Sequence, residues 1–131
     1  MPEHADRRVA HFLKLGDELA AKGDYAAAFD HYKTSVDAAR DHYGLHDSRL
    51  IPLLKRAVES NLKDRLKEVD KRLQTAAELY RWILAIQETA KGFDHVELCP
   101  TLTFLAVVYD QIGYHMSAHQ LASRAKSIQA K

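Results

Sequence analysis

The feature that most constrains the fold of this chain is an internal repeat. Residues of special size or conformation recur at an offset of 48 positions: Ala28, Tyr32, Gly44, Leu50 and Pro52 correspond to Ala76, Tyr80, Gly92, Leu98 and Pro100. Self-similarity at one offset is typical of chains built from stacked supersecondary units. The glycines Gly23 and Gly113 lie 90 positions apart, which equals one offset of 48 and one of 42. The sequence therefore predicts three units, at about residues 10–43, 50–91 and 98–130, of which the middle one is enlarged.

The spacing of apolar residues indicates helices in each long segment. The chain has 5 Gly and 3 Pro among 131 residues, so the segments between these helix breakers are long. Apolar residues recur every three or four positions in residues 12–19, 25–39, 102–109 and 118–128. No segment shows the period-two alternation that is typical of a half-buried strand. The sequence thus predicts one all-α domain that covers residues 1–131.

The first and third units share an order of apolar, small and aromatic residues. In the first unit the order is Phe12-x-x-Leu15-Gly16-x-x-Leu19 and then Gly23-Asp24-Tyr25-x-x-Ala28-x-x-x-Tyr32. In the third unit it is Leu102-x-x-Leu105-Ala106-x-x-Tyr109-x-x-x-Gly113 and then Ala118-x-x-x-Ala122-x-x-Ala125. Both patterns resemble the tetratricopeptide repeat (TPR). The 42-residue spacing and the loops at residues 44–47 and 92–95 resemble the extended, kinesin-light-chain-like variety of this repeat.

The resemblance implies both a fold and a function. A TPR protein is an α-solenoid of helix-turn-helix units, and it serves as a scaffold or adaptor that binds a peptide or a helix on its concave face. The family places small residues where the two helices of a unit cross. At these positions the chain has Gly16, Ala28, Ala106, Ala118 and Ala125. We therefore expect a non-enzymatic protein-interaction module whose partner is another protein or peptide.

The resemblance also implies which residues face that partner. The first helix of each unit lines the concave face, and the residues placed there are Asp17, Lys55, Glu59, Lys63, Thr103, Val107, Asp110 and Gln111. The family's receptors for chaperone tails hold a terminal carboxylate with basic and neutral donors. At two of the corresponding positions this chain has the acids Asp17 and Glu59. The resemblance thus favours a basic or mixed, partly apolar ligand segment over an acidic tail.

The middle unit lacks the glycine or proline that a tight turn usually contains. Apolar residues here form a heptad-like stripe: Leu62, Leu66, Val69, Leu73, Ala76, Tyr80 and Ile83. One interpretation places a turn near Asn61 or Asp70, because Asn and Asp tolerate turn conformations. The other fuses residues 55–90 into one helix of about 60 Å, which would leave apolar faces for a second chain to cover.

The second interpretation predicts a domain-swapped homodimer as an alternative function, and we expect a homo-oligomer. The candidate residues for self-association are Leu62, Leu66, Val69, Leu73, Tyr80 and Trp82. Trp82 is included because it lies beside the apolar stripe, and an exposed tryptophan is a common anchor of interfaces.

Charge and hydropathy exclude several classes of partner and predict a location. With 19 Lys and Arg against 18 Asp and Glu, the net charge is +1, which argues against a nucleic-acid or membrane-surface partner. The longest apolar run, residues 104–109, is too short to span a bilayer. The N-terminal residues lack the apolar core of a signal peptide, and the single Cys99 has no partner for an internal disulfide. These features predict a cytoplasmic protein.

No motif of the sequence predicts a catalytic centre or a cofactor. The pairs His42/His46 and His115/His119 have a spacing that suits a metal on one helix face, but neither belongs to a complete ligand set. Cys99 lies in no nucleophile motif. The sequence therefore predicts no metal, no cofactor and no catalytic residue, and a small all-α enzyme is the least favoured function.

Overall fold

A computed structural model describes residues 2–131, with side chains from residue 3 onward. This part of the chain contains six α-helices and a short 3-10 helix, Val96–Leu98, and no strand. The helices are α1 (Pro2–Ala21), α2 (Tyr25–Tyr43), α3 (Leu50–Lys63), α4 (Val69–Lys91), α5 (Cys99–Ile112) and α6 (His115–Gln129). The predicted all-α class is thereby confirmed.

Helix α1 begins ten residues before the first apolar position of the predicted helix, Phe12. Its early turns carry few apolar residues, so the apolar spacing contains little signal there. A tertiary contact supports them instead. The hydroxyl of Ser35, which is buried in α2, donates a hydrogen bond of 2.8 Å to the carbonyl of Val9.

Two similar glycine turns connect α1 with α2 and α5 with α6. Gly23 and Gly113 have φ angles of +82° and +109°, a region that side chains with a Cβ rarely adopt. In both turns the next residue closes the helix end. Asp24 donates its N–H to the Leu19 carbonyl at 3.0 Å, and Tyr114 donates its N–H to the Tyr109 carbonyl at 2.8 Å. These bonds satisfy carbonyls that the helix end leaves open.

The interpretation that residues 55–90 form one continuous helix is wrong, because α3 ends at Lys63 and α4 begins at Val69. The break lies between Asn61 and Asp70, the two positions that the sequence indicated for a turn. Its cause is Asp64, whose carboxylate accepts the N–H of Leu66 at 3.1 Å in an Asx turn. The Leu66 side chain is 97% exposed, so a continued helix would gain no burial there within the described chain.

The chain divides into two compact units, Met1–Lys67 and Glu68–Lys131. The predicted middle unit, residues 50–91, thus has one of its helices in each. The three-unit division of the chain stays a prediction.

In the first compact unit, α2 contacts both α1 and α3. Its core consists of small and aliphatic side chains together with Tyr32: Ala28, Tyr32, Val36, Ala39, Leu50, Leu53, Leu54, Ala57 and Val58 are buried. The ring of Tyr32 lies against Gly16 of α1. A Cβ at Gly16 would be 2.6 Å from Cε1 of this ring, so only glycine permits the close approach.

In the second compact unit, α5 contacts both α4 and α6. Its core cluster consists of Ala76, Ala77, Leu84, Leu98, Cys99, Leu102, Leu105, Val108, Ala125 and Ile128. Arg124 of α6 forms an ion pair of 2.6 Å with Glu88 of α4 and donates to the carbonyl of Phe93 at 3.0 Å. These bonds hold the end of α4 and the following loop to α6.

The five small residues that the sequence places at helix crossings are all buried, namely Gly16, Ala28, Ala106, Ala118 and Ala125. Among the helices of residues 2–131, none is long and apolar enough to cross a membrane.

The first testable prediction concerns Ala28, which is fully buried in α2. Ala28→Leu adds three carbon atoms to a filled core and is expected to lower the free energy of unfolding by about 1 to 3 kcal/mol. Chemical denaturation followed by circular dichroism measures the loss. The matched control is Ala26→Leu, because Ala26 is exposed on the same helix. Equal stability of the two variants would contradict a tight contact at Ala28.

Candidate functional site

A groove of about 450 Å³ opens on the first compact unit between the end of α1, the beginning of α2 and the second half of α3. It is lined by Asp17, Ala20, Ala21, Tyr25, Tyr32, Arg56, Glu59, Ser60 and Lys63. We call it the first groove. Three of the residues predicted for the partner-binding face, Asp17, Glu59 and Lys63, lie in it together.

Asp17 is the most constrained acid of the first groove. Its Oδ1 accepts a hydrogen bond of 2.5 Å from the Tyr32 hydroxyl and lies 3.5 Å from Nε of Arg56. Burial, together with the hydrogen bond to Asp17 and the charge of Asp17, raises the pKa of Tyr32 well above its ordinary value. Tyr32 therefore stays protonated and remains a donor to Asp17 over the whole physiological range of pH.

The second acid of the groove, Glu59, is paired within α3. Its Oε1 accepts a hydrogen bond of 2.7 Å from Nζ of Lys63, one helical turn later. This bond and the charge of Glu59 raise the pKa of Lys63. The ammonium group of Lys63 also lies 5.8 Å from the centre of the Tyr25 ring. Both acids of the first groove thus already have a basic partner.

A second groove, of about 460 Å³, opens between α5 and α6 of the second compact unit. Its lining consists of Ala106, Val107, Asp110, Gln111, His115, Ala118, His119 and Ala122. Three residues predicted for the partner-binding face, Val107, Asp110 and Gln111, lie in this second groove. Its polar contact is an exposed pair in which Nδ1 of His115 is 2.6 Å from Oδ1 of Asp110.

The two remaining predicted residues line neither groove. Lys55 is exposed on α3. Thr103 is exposed on α5, and its hydroxyl donates to the carbonyl of Cys99 at 2.8 Å. A Thr hydroxyl that bonds the carbonyl four residues earlier uses its donor within its own helix.

Sequence analysis missed Tyr25, Tyr32, Arg56 and Ser60 as lining residues of the first groove. A signal was present for two of them, because Arg56, Ser60 and Lys63 follow each other at steps of four and three and so share one face of α3. The two tyrosines carried no such signal. Their position depends on how α2 packs against its neighbours.

The candidate self-association residues have different environments. Leu62, Leu66 and Val69 are exposed at the end of α3, in the turn and at the start of α4. Leu73 and Tyr80 are half-buried and pack against the core cluster of the second compact unit. Trp82 is half-buried as well.

The residues with metal-binding or nucleophilic chemistry do not assemble into a centre. Among residues 3–131, no group of three His, Cys, Asp or Glu side chains is placed to hold a metal ion. Cys99 is buried, and its Sγ lies 3.7 Å from the carbonyl oxygen of Ala125. This thiol acts as a small core side chain.

No model of a known protein family matches this chain, and no curated protein matches it significantly in sequence. Functional inference therefore starts from the geometry of the two grooves.

The second prediction concerns the Tyr32 to Asp17 hydrogen bond. Because the folded state raises the pKa of Tyr32, the fold keeps this proton while the unfolded chain loses it near pH 10. The stabilisation is complete below pH 10 and is lost as the pH rises further. We expect the free energy of unfolding to fall less steeply above pH 10 in Tyr32→Phe than in the wild type. Denaturation with urea at several pH values, followed by circular dichroism, measures the difference.

The control for this experiment is Tyr114→Phe, because Tyr114 is exposed. It should follow the wild-type curve. Parallel curves for the wild type and Tyr32→Phe would contradict the inferred protonation of Tyr32.

Proposed function

We propose that this protein is a non-enzymatic interaction module that binds a peptide or a helix of another protein. The observation that supports the proposal is the first groove. Asp17, Glu59 and Lys63 line this open groove, which has a volume of about 450 Å³. A volume of this size lies within the range of ligand-binding clefts and accommodates a small number of ligand side chains.

The energetics of the groove support binding over a purely structural role. The Asp17–Arg56 and Glu59–Lys63 pairs are about half exposed, and such pairs contribute about 0 to 1 kcal/mol to stability. A ligand can therefore exchange partners with these groups at little cost to the fold. The apolar lining by Ala20, Ala21 and Tyr25 adds area that a ligand side chain can bury.

The helix pairs support a proposal about fold. We infer that α1 with α2, and α5 with α6, are TPR-like units, because each pair has a glycine turn and buried small residues at the positions that the repeat requires. The extended variety of the repeat and the α-solenoid of three units are part of the same proposal. We also propose a cytoplasmic location, because the chain has a single cysteine and thus no internal disulfide.

The third prediction tests the binding function. Random displayed peptides of about 12 residues, or about 40 Å when extended, are selected on the wild-type protein. Ala21→Trp places an indole in the first groove. Selected peptides are expected to bind this variant at least about tenfold more weakly, as fluorescence anisotropy would show.

The control is Ala26→Trp, which adds the same side chain at an exposed position outside the groove. This variant should bind the selected peptides as the wild type does. Failure to enrich any peptide, or equal binding by the two tryptophan variants, would overturn the proposed function of the first groove.

A second candidate function is self-association, which the exposed apolar residues Leu62 and Leu66 favour. Both lie at the end of the first compact unit, and a second copy could bury them. This function does not need a continuous α3–α4 helix.

The fourth prediction tests self-association by multi-angle light scattering of the full chain at high micromolar concentration. We expect the wild type to be dimeric and the Leu66→Ser variant to be monomeric. Leu66 is chosen because it is the most exposed large apolar residue of the described chain. Val96→Ser, an equivalent change at an exposed valine of the second compact unit, should remain dimeric. A monomeric wild type would exclude the homodimer.

A further inference from the structure

We propose that the first groove binds an acidic segment of its partner and holds a side-chain carboxylate of that segment between Arg56 and Ser60. This inference rests on the proposed function of the groove and specifies the chemistry of its ligand. It reverses the preference for a basic or mixed ligand that the positions of Asp17 and Glu59 suggested. Three features of the groove carry it.

The first feature is the state of the two acids. Asp17 already accepts the Tyr32 hydroxyl and faces Nε of Arg56, and Glu59 already accepts Nζ of Lys63. A basic ligand would compete with these internal partners for the same oxygens. Because these half-exposed pairs contribute little to stability, the competition lowers the attraction of the two acids for a basic ligand only modestly.

The second feature is an excess of hydrogen-bond donors. Arg56 uses only its Nε toward Asp17, and neither terminal nitrogen of the guanidinium bonds another described residue. These two nitrogens form a planar fork that suits a carboxylate. Lys63 uses one of its three N–H groups toward Glu59. The groove thus has unused N–H donors on Arg56 and Lys63, and these donors suit a ligand that accepts hydrogen bonds.

The third feature is Ser60, which is 3% exposed and lines the groove. Its hydroxyl forms no hydrogen bond with another described residue and is not among the enclosed polar atoms, so it is accessible from the groove. A ligand carboxylate can therefore replace water as the acceptor of this hydroxyl. Ser60 lies one helical turn after Arg56, on the same face of α3.

The α3 side of the groove has the matching sign, although the lining itself has two acids and two bases. Residues 55–67 of α3 and the following turn contain five basic residues, Lys55, Arg56, Lys63, Arg65 and Lys67, and two acidic residues, Glu59 and Asp64. The partial negative charge of a helix C-terminus is about half an elementary charge, so the segment remains positive. This excess steers an acidic segment toward the groove.

The experiment uses three synthetic peptides with one alanine- and leucine-rich host sequence that carries two Glu, two Lys or two Gln at the same positions. Acetylated and amidated ends remove the terminal charges, so only side chains are compared. Fluorescence anisotropy with the full-length wild type is expected to show that the Glu peptide binds about tenfold more tightly than the Lys peptide. Added salt should weaken the binding of the Glu peptide.

Variants locate the carboxylate. Arg56→Gln and Ser60→Ala should each weaken the Glu peptide by about threefold to tenfold, and Arg56→Lys should weaken it because it lacks the fork. The control Arg40→Gln removes a half-exposed arginine of α2 outside the groove and should leave binding unchanged. Circular dichroism confirms that each variant is folded. If Ser60→Ala is unfolded, the Arg56 variants decide the outcome.

The outcomes separate this inference from the proposed function. Equal or tighter binding of the Lys peptide, or full binding of the Glu peptide by the Arg56 variants, overturns the acidic ligand while the groove remains a binding site. If none of the three peptides binds, the acidic ligand is overturned as well. The displayed-peptide selection then decides separately whether the groove binds any segment.

Discussion

Tyr32 connects the core of the first compact unit with its groove. The ring is buried against Gly16, where a Cβ would come within 2.6 Å of it, and the hydroxyl reaches Asp17 at 2.5 Å. The close approach of α1 and α2 thus determines where the Asp17 carboxylate lies. Arg56 of α3 pairs with the same oxygen, so three helices contribute to one polar contact.

The two grooves have different chemistry although both collect residues predicted for one binding face. The first contains two ion pairs, two tyrosines and a buried serine. The second is lined by three alanines and a valine together with Gln111, His119 and the Asp110–His115 pair. Small side chains allow close approach of a ligand backbone, whereas charged groups select its side chains. The first groove therefore has more groups that can select a ligand side chain than the second.

An ion pair or hydrogen bond within the protein changes which ligand a charged residue favours. In the sequence, Asp17 and Glu59 are two acids on a predicted binding face, and this favours a basic ligand. In the structure each acid is already compensated, and the unused hydrogen-bonding capacity belongs to Arg56, Lys63 and Ser60. The net charge near a site and the number of unused hydrogen-bond donors in it are separate quantities. The binding of a ligand depends on both.

The sequence by itself determined the all-α class, the glycine turns at Gly23 and Gly113 and the small residues that are buried. Each of these follows from local rules, since apolar spacing, positive φ and side-chain size act within a few residues or at one contact. Of the eight residues that the resemblance assigns to one concave face, Asp17, Glu59 and Lys63 lie in the first groove, and the assignment of that face to a partner stays a prediction. It left the middle break open, because an Asx turn at Asp64 uses a residue that is also common on helix surfaces.

Only the tertiary structure decided the rest. The early turns of α1, where apolar spacing gives little signal, are joined to α2 by the hydrogen bond from Ser35 to Val9, 26 residues away. The division into units Met1–Lys67 and Glu68–Lys131 depends on which helices pack, which apolar periodicity does not encode. The roles of Tyr32 and Arg56 likewise arise only when α1, α2 and α3 meet. Hydrogen bonds between residues far apart in sequence leave no local pattern. The pairing of Asp17 with Tyr32 and Arg56 in the first groove was therefore not predictable from the sequence alone.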